Sequence, residues 1–427
     1  MTLPWTEISN SWSHPWHSMC SYLGTFPPPL ARSIIELLTE KGDIVYDPFS
    51  GRGTTLLESR LAYRLGICSD LNPIAVALSK AKASDVTKDL LLERIAELRE
   101  GYEQFIYMPE AETQSDEIKL IFSPRTLAQL CYLRGELTRS NEDLDQFILG
   151  ALLGVMHGSE KKDGSSIYAS ISMPNTFSMS PGYVRRFVET KRLNRTSRDV
   201  FSLLDQKIER LFKAPFPIPS EEAVAEVADA KSPLDNVVLS KYRGKVKLVL
   251  SSPPYLGVVN YAKQNWIRNW LLEKAPEFHR HQELDDDLNI EKWLNFAEQF
   301  ISGMREMISD DGVIALVVGD VAKKSGGYIS LARELIRRLH FRNEFKYIGC
   351  LVDNINVGYK TTKIWKETKG SATSIDRIVF LSNSTPNFNH SSLKEVFSSS
   401  KTDYIEFNAD DLERFAKDFS QSASCSI

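Results

Sequence analysis

The sequence predicts an α/β fold: a mostly parallel sheet covered by helices on both faces, with a helical insertion between its two halves. Two observations carry this. Near the N-terminus a short apolar strand at residues 44–47 leads through a glycine-containing turn into a helix at 54–63, a second strand at 65–69 and another helix from Pro73. Parallel strands need such crossovers, and in sheets of this kind ligands sit at the carboxyl ends of the strands. The second observation is an interruption. Residues 85–214 read as helices alone, and strand-length apolar runs then return at 224–228, 246–250, 313–318, 345–352 and 378–381.

Taken in order, residues 30–38 have helical apolar spacing and stop near Gly42. Helical periodicity in the insertion falls at 90–107, 124–138, 144–156 and 197–212, and helices at 290–308 and 329–339 separate the later strands. Residues 163–181 are rich in Ser and interleave Tyr168, Met173, Phe177 and Met179, which predicts an adaptable loop. The chain divides into residues 1–84 and 223–382, the two parts of the sheet domain, residues 85–222, the insertion, and residues 383–427, a polar tail with a weak helical pattern at 412–419.

Ordinary proportions of hydrophobic (42%) and charged (25%) residues place the chain among folded globular proteins rather than disordered ones. The first residues have neither a basic nor an apolar leader segment, and the longest apolar run, at 147–156, is too short for a bilayer, so a cytoplasmic location is expected. Five scattered cysteines without a CxxC pair suggest neither a disulfide framework nor a metal site. The net charge of -4 argues against a polyanionic partner, but residues 183–198 set Arg185, Arg186, Lys191, Arg192, Arg195 and Arg198 against the single acid Glu189. Two readings fit that run: a solvated helix face, or a local footprint for nucleic acid.

Three segments carry chemistry. Asp47-Pro48-Phe49-Ser50-Gly51-Arg52-Gly53-Thr54-Thr55 joins a strand to a helix, with glycines that let the backbone approach a ligand. It lacks both the Gly-Lys-Ser/Thr ending of a phosphate loop and the third glycine of a dinucleotide fingerprint. Asp70 ends the second strand, where its carboxylate can either bind the hydroxyls of a ribose or cap the next helix. Ser252-Pro253-Pro254-Tyr255 follows the strand at 246–250. Two prolines stiffen that segment and point carbonyls outward; Ser252 Oγ and the Pro253 carbonyl can accept hydrogen bonds from an exocyclic amine while Tyr255 stacks on its ring. A simple turn with an aromatic residue is the plainer reading. An aromatic amine is a poor nucleophile because its lone pair is delocalised, and acceptors that favour a pyramidal nitrogen localise it.

Together these segments resemble the amino-methylating DNA methyltransferases, which modify cytosine N4 or adenine N6, over about residues 22–82 and 224–382. The resemblance implies a Rossmann-like methyltransferase fold with a seven-stranded sheet, and S-adenosyl-L-methionine as cofactor. It implies that Asp47, Pro48, Phe49, Gly51, Gly53 and Thr54 surround the methionine end, that Asp70 binds the ribose and that Asp229 reads the adenine amine. Phe26-Pro27-Pro28-Pro29-Leu30 is similar to the family segment before the cofactor strand, which makes Thr25 and Phe26 further contacts, although the His-Pro that usually precedes it is not aligned here. Ser252, Pro253, Pro254 and Tyr255 match the catalytic motif in its Ser-Pro-Pro-Tyr form, more typical of N4-cytosine enzymes than Asp-Pro-Pro-Tyr.

The implied partner is double-stranded DNA with a flipped-out target base, bound through Arg185, Arg186, Lys191, Arg192 and Arg195, with residues 85–222 as the candidate target-recognition region. A cognate restriction endonuclease and a monomeric or homodimeric state are further expectations. C5-cytosine chemistry needs a Pro-Cys nucleophile, and none of the five cysteines follows a proline. The rival readings are an N6-adenine enzyme, a tRNA guanine-N2 methyltransferase of similar core, and a cofactor-binding subunit without catalysis; Trp266 and Tyr261 are open between core and base pocket, as is Asn260 beside them.

Overall fold

The computed structural model describes residues 13–22, 26–173, 180–216, 223–254, 265–273, 289–322, 328–342, 344–354, 372–384 and 402–407. Thr25, Phe177, Met179, Tyr255, Asn260, Tyr261 and the helical pattern at 412–419 lie outside the described residues.

After a 3-10 turn at Pro15–Ser18, the first half runs α1 (Pro28–Leu38), β1 (Ile44–Asp47), α2 (Thr54–Leu61), β2 (Leu65–Asp70) and α3 (Pro73–Ala83). Then come α4 (Lys88–Glu100), α5 (Gln104–Glu112), α6 (Asp116–Ile121), α7 (Pro124–Leu137), α8 (Asp143–Val155), α9 (Pro181–Lys191) and α10 (Val200–Leu211). The sheet resumes with β3 (Val224–Val227) and β4 (Val246–Ser251), followed by α11 (Trp266–Leu272), α12 (Ile290–Met307), β5 (Ile308–Ala322), β6 (Tyr328–Ser330), α13 (Leu331–Arg342), β7 (Tyr347–Asn354), β8 (Ala372–Ser382) and β9 (Thr402–Phe407).

Helix starts follow local chemistry. Asn72, Ser123, Asp199 and Asn289 each accept a backbone N–H of the first turn, at α3, α7, α10 and α12, and Pro73 and Pro124 occupy the first helical position, where no donor is needed.

The strands line up as β3-β2-β1-β4-β5-β8-β7-β9, with β6 paired to β5. Pairing is parallel from β3 through to β5, and antiparallel for β5 with β6 and β8, for β8 with β7 and for β7 with β9. The two strands beyond the expected seven are short β6 and β9, and β9 brings part of the polar tail into the sheet. Alternation sorts side chains to the two faces. Tyr46, Val249, Ile314, Leu316 and Leu381 join one buried cluster with Trp293, Phe300 and Leu335 of α12 and α13. Val45, Leu248, Leu250, Val313, Ala315 and Phe380 join another with Leu30, Ile34 and Ile35 of α1.

The helical layer has its own core. Ile74, Ala77, Leu78 and Ala81 of α3 pack with Phe147, Ala151 and Leu152 of α8, Leu130 and Leu133 of α7, and Phe201, Leu204 and Ile208 of α10. One face of α3 meets β2 and β3 while another carries α8, so the insertion hangs on the helix that follows β2. Trp266 packs partly buried against this core, and Ile267 and Leu271 lie within it. The described part of the loop expected to be adaptable is pinned: the amides of Ala169, Ser170 and Ile171 donate to the carbonyls of Val155, Met156 and Ile121 at 2.8, 3.1 and 3.0 Å. Among the described residues no helix is long and apolar enough to cross a membrane.

Candidate active site

Strand order reverses between β1 and β4: β2 and β3 extend to one side and β5 to the other. Such a switch point opens a crevice at the strand ends, because the following loops diverge to opposite faces. Register pairs Val45 with Leu248 and Tyr46 with Val249, which brings Asp47 at the end of β1 beside Ser251 at the end of β4. Two segments 204 residues apart thereby share one rim, through a residue the sequence reading did not single out. Ser251 Oγ donates to Asp47 Oδ1 at 2.5 Å, and the Phe49 amide donates to the same oxygen at 3.1 Å. Asp47 is only 2% exposed, and burial pushes its carboxyl up to about 6 against the opposing pull of the Ser251, Thr55 and Phe49 hydrogen bonds.

The loop after Asp47 turns on two left-handed glycines, Gly51 at φ 51° and Gly53 at φ 73°, a backbone region that side chains disfavour. Its shape is set from β2 and α3. Ser50 donates its amide to the Ser69 carbonyl at 3.0 Å, and Gly51 donates its amide to Asp70 Oδ2 at 3.0 Å. Lys82 of α3, buried, donates its Nζ to the Arg52 carbonyl. Asp70 Oδ1 accepts the Asn72 amide at 2.9 Å, and burial raises its carboxyl to about 6. The N-cap of α3 is Asn72, whose Oδ1 accepts the Ile74 amide at 3.1 Å, so the capping reading of Asp70 gives way to a carboxylate that holds the glycine loop. Asn72 Nδ2 also donates to Tyr22 OH at 2.9 Å, and a Cβ on Gly51 would lie 3.4 Å from the Tyr22 ring.

Pro48 and Thr54 are buried; Phe49 packs against Phe296 and Phe300 of α12 at ring separations of 5.7 and 5.2 Å. Phe26 is buried in the cluster of α1 and β4. Asp229, just past β3 on the same rim as Asp70, accepts the Lys231 amide at 2.9 Å and pairs with Lys231 Nζ at 3.5 Å. Beyond Ser251, Ser252 and Pro254 are partly buried and Pro253 buried, and the Pro254 carbonyl accepts the Trp293 indole N–H at 2.8 Å. Ser251, Trp293, Asn72, Tyr22 and Lys82 were not legible as site residues. Ser251 alone had a signal, as the first of the doubled serine before the prolines.

These groups fit a nucleoside cofactor such as S-adenosyl-L-methionine. Asp70 accepts backbone amides of its own loop and of the glycine loop, and a carboxylate has lone pairs beyond these to offer a ribose hydroxyl. The left-handed turn and the packing beneath it demand both glycines, since a side chain at Gly53 would meet Ser79 and Lys82 and one at Gly51 the Tyr22 ring; the loop lies at the start of α2, which Thr55 ties to β4 through a 3.1 Å bond from its Oγ1 to the Leu250 carbonyl.

The basic run spans α9, whose Val184 and Val188 are buried and which lies against α6, and continues past the helix end at Lys191. Arg185 pairs with Glu117 at 3.1 Å, Arg195 donates to the Lys119 carbonyl at 2.7 Å, and Arg198 is drawn inward to Glu160. Arg186, Lys191 and Arg192 are exposed and have no carboxylate partner among the described residues.

A family model for DNA methylases matches residues 5–81 and 246–421, on either side of the insertion. A stretch of 86 residues is 37% identical to Type II methyltransferase M.MvaI of Kocuria varians, covering 19% of this chain and 19% of that relative. Among solved structures, the rRNA methyltransferase aviRa of Streptomyces viridochromogenes overlaps 84% of this chain and 87% of its own at 12% identity and a TM-score of 0.31. Precorrin 8W decarboxylase of Methanobacterium thermoautotrophicum overlaps 89% and 99% at 10% identity and a TM-score of 0.30. With more than half of its residues inside the family match, the chain belongs to the N6/N4 family of DNA methylases, whose methyl donor is S-adenosyl-L-methionine.

Proposed function

We propose that the protein methylates the exocyclic N4 of cytosine in double-stranded DNA, at a specific sequence, as the modification enzyme of a restriction-modification system. One observation supports this above the others: the Ser251 to Asp47 hydrogen bond, which sets the Ser252 acceptors beside the glycine loop at the switch point of the sheet. S-adenosyl-L-methionine, when bound, supplies an electrophilic sulfonium methyl. Asp70 holds its ribose, Asp229 meets its adenine amine, and Asp47, Pro48, Phe49, Gly51, Gly53 and Thr54, with Thr25 and Phe26, line its methionine end.

On the acceptor side, Ser252 Oγ and the Pro253 carbonyl take the two amine protons in hydrogen bonds and favour a pyramidal nitrogen, while Tyr255 stacks on the flipped base. Neither acceptor is basic enough to remove a proton before attack, so the methylated amine would shed its extra proton to water afterwards, and catalysis rests on positioning and electrostatics. Arg186, Lys191 and Arg192 supply phosphate contacts, and residues 85–222 read the target sequence.

The test is to incubate the protein with unmodified DNA and labelled S-adenosyl-L-methionine, digest to nucleosides and identify the labelled species by mass. N4-methylcytosine is the expected product. N6-methyladenine would keep the site and replace the target base, and label in tRNA alone would overturn the DNA reading.

A further inference from the structure

We infer that Trp293 is a positioning residue for the methyl-acceptor site, holding Ser252 and Pro253 in place through its hydrogen bond to the Pro254 carbonyl. This rests on the functional reading above and deepens it.

Proline has no N–H, so Pro253 and Pro254 can be anchored through the backbone only by their carbonyls. Upstream, the segment is fixed at Ser251, whose hydroxyl is bound to buried Asp47. Downstream, the Trp293 indole Nε1 donates to Pro254 O at 2.8 Å. The two groups expected to grip the amine lie between these fixed points. Loosening either end would widen the range of positions they sample, and an error of about 1 Å in an acceptor costs catalysis on the order of 100-fold.

Trp293 is suited to the task. It sits in the first turns of α12, fully buried (0% exposed), with its own amide bound to the Asn289 carbonyl at 2.8 Å. Further along, the same helix packs Phe296 and Phe300 on Phe49 of the glycine loop. One rigid element therefore backs both loops of the rim. Packing alone would be met by a phenylalanine; a buried indole N–H needs an acceptor, and here it finds the one that ends the motif.

The test compares wild type with Trp293→Phe, which removes the donor and keeps an aromatic ring, and with Ile301→Ala, which opens a cavity in the same helix and the same buried cluster without touching the indole donor. The measurements are kcat, KM for S-adenosyl-L-methionine, thermal stability, and hydrogen exchange of the peptide covering residues 246–254. Trp293→Phe is expected to lower kcat about tenfold, the worth of one buried hydrogen bond, with KM for the cofactor unchanged and faster exchange at the Ser251 and Ser252 amides. Ile301→Ala is expected to lower thermal stability without either effect.

Equal kcat in wild type and Trp293→Phe, a loss of kcat matched by Ile301→Ala, or unchanged exchange at residues 246–254 would overturn the inference. If wild type itself transfers no methyl group to DNA, the functional reading fails, and the exchange measurement still decides whether Trp293 anchors the segment.

Discussion

Removing a carboxylate from water without a cation beside it disfavours the charged form, and Asp47 is held in that condition by hydroxyl and amide donors alone. Its carboxyl lies near 6 in the folded protein, against about 4 for an exposed aspartate. Between about pH 4 and 6, then, the folded state keeps a proton that the unfolded state has lost. Folded chains bind more protons in that window, so stability falls as pH rises through it. The full effect is roughly 3 kcal/mol. Asp47→Asn cannot ionise and still accepts from Ser251, so its stability should fall less than that of wild type between pH 4 and 6 in denaturant titrations; parallel curves would show that Asp47 does not ionise in this window. At this scale the sequence placed Asp47, Asp70 and Ser252 at strand ends, and the structure has them at or just past the ends of β1, β2 and β4. The sequence was silent on Trp293, which reaches Pro254 from 39 residues further along the chain.

Helices report on how the insertion is fastened. On α8, a Cβ at Gly150 would come within 2.5 Å of the Ala81 side chain of α3, and one at Gly154 within 1.8 Å of the Met19 carbonyl. Backbone cannot give way there as a flexible side chain can. Gly154→Ala should therefore destabilise the protein by about 1–3 kcal/mol, read as a lower Tm, while the same change at Gly135, which has open space around it, should be neutral or mildly stabilising; equal effects would contradict the packing described. The surface of α9 makes a different prediction. Replacing Arg186 and Lys191 with Ala should weaken binding to DNA of any sequence and flatten its salt dependence, each phosphate contact contributing about one unit of slope, and should leave cofactor affinity alone. Unchanged DNA affinity would return the run to a solvated face. Helical periodicity marked α1, α7, α8 and α10 to within a few residues. The segment read as one helix at 90–107 is two, α4 and α5, separated at residues 101–103; Gly101 caps the first, and a side chain there would meet the Tyr132 hydroxyl.

At the scale of the molecule, the parallel half of the sheet and the place of the insertion were legible because crossovers impose a regular alternation of strand and helix on the sequence. The β9 strand was not: six residues in a polar tail carry little pattern of their own, and their pairing with β7 is decided by an edge far away in sequence. The family match skips residues 82–245, which contain α4 to α10 and also β3. In the proposed function this core delivers a methyl group to an amine held at Ser252. That delivery is tested most directly by single-turnover methyl transfer to DNA in wild type and Ser252→Ala, with S-adenosyl-L-methionine affinity measured in parallel by calorimetry. Transfer is expected to be lost in the variant while cofactor affinity is retained; transfer at the wild-type rate by Ser252→Ala would overturn the proposed role of Ser252.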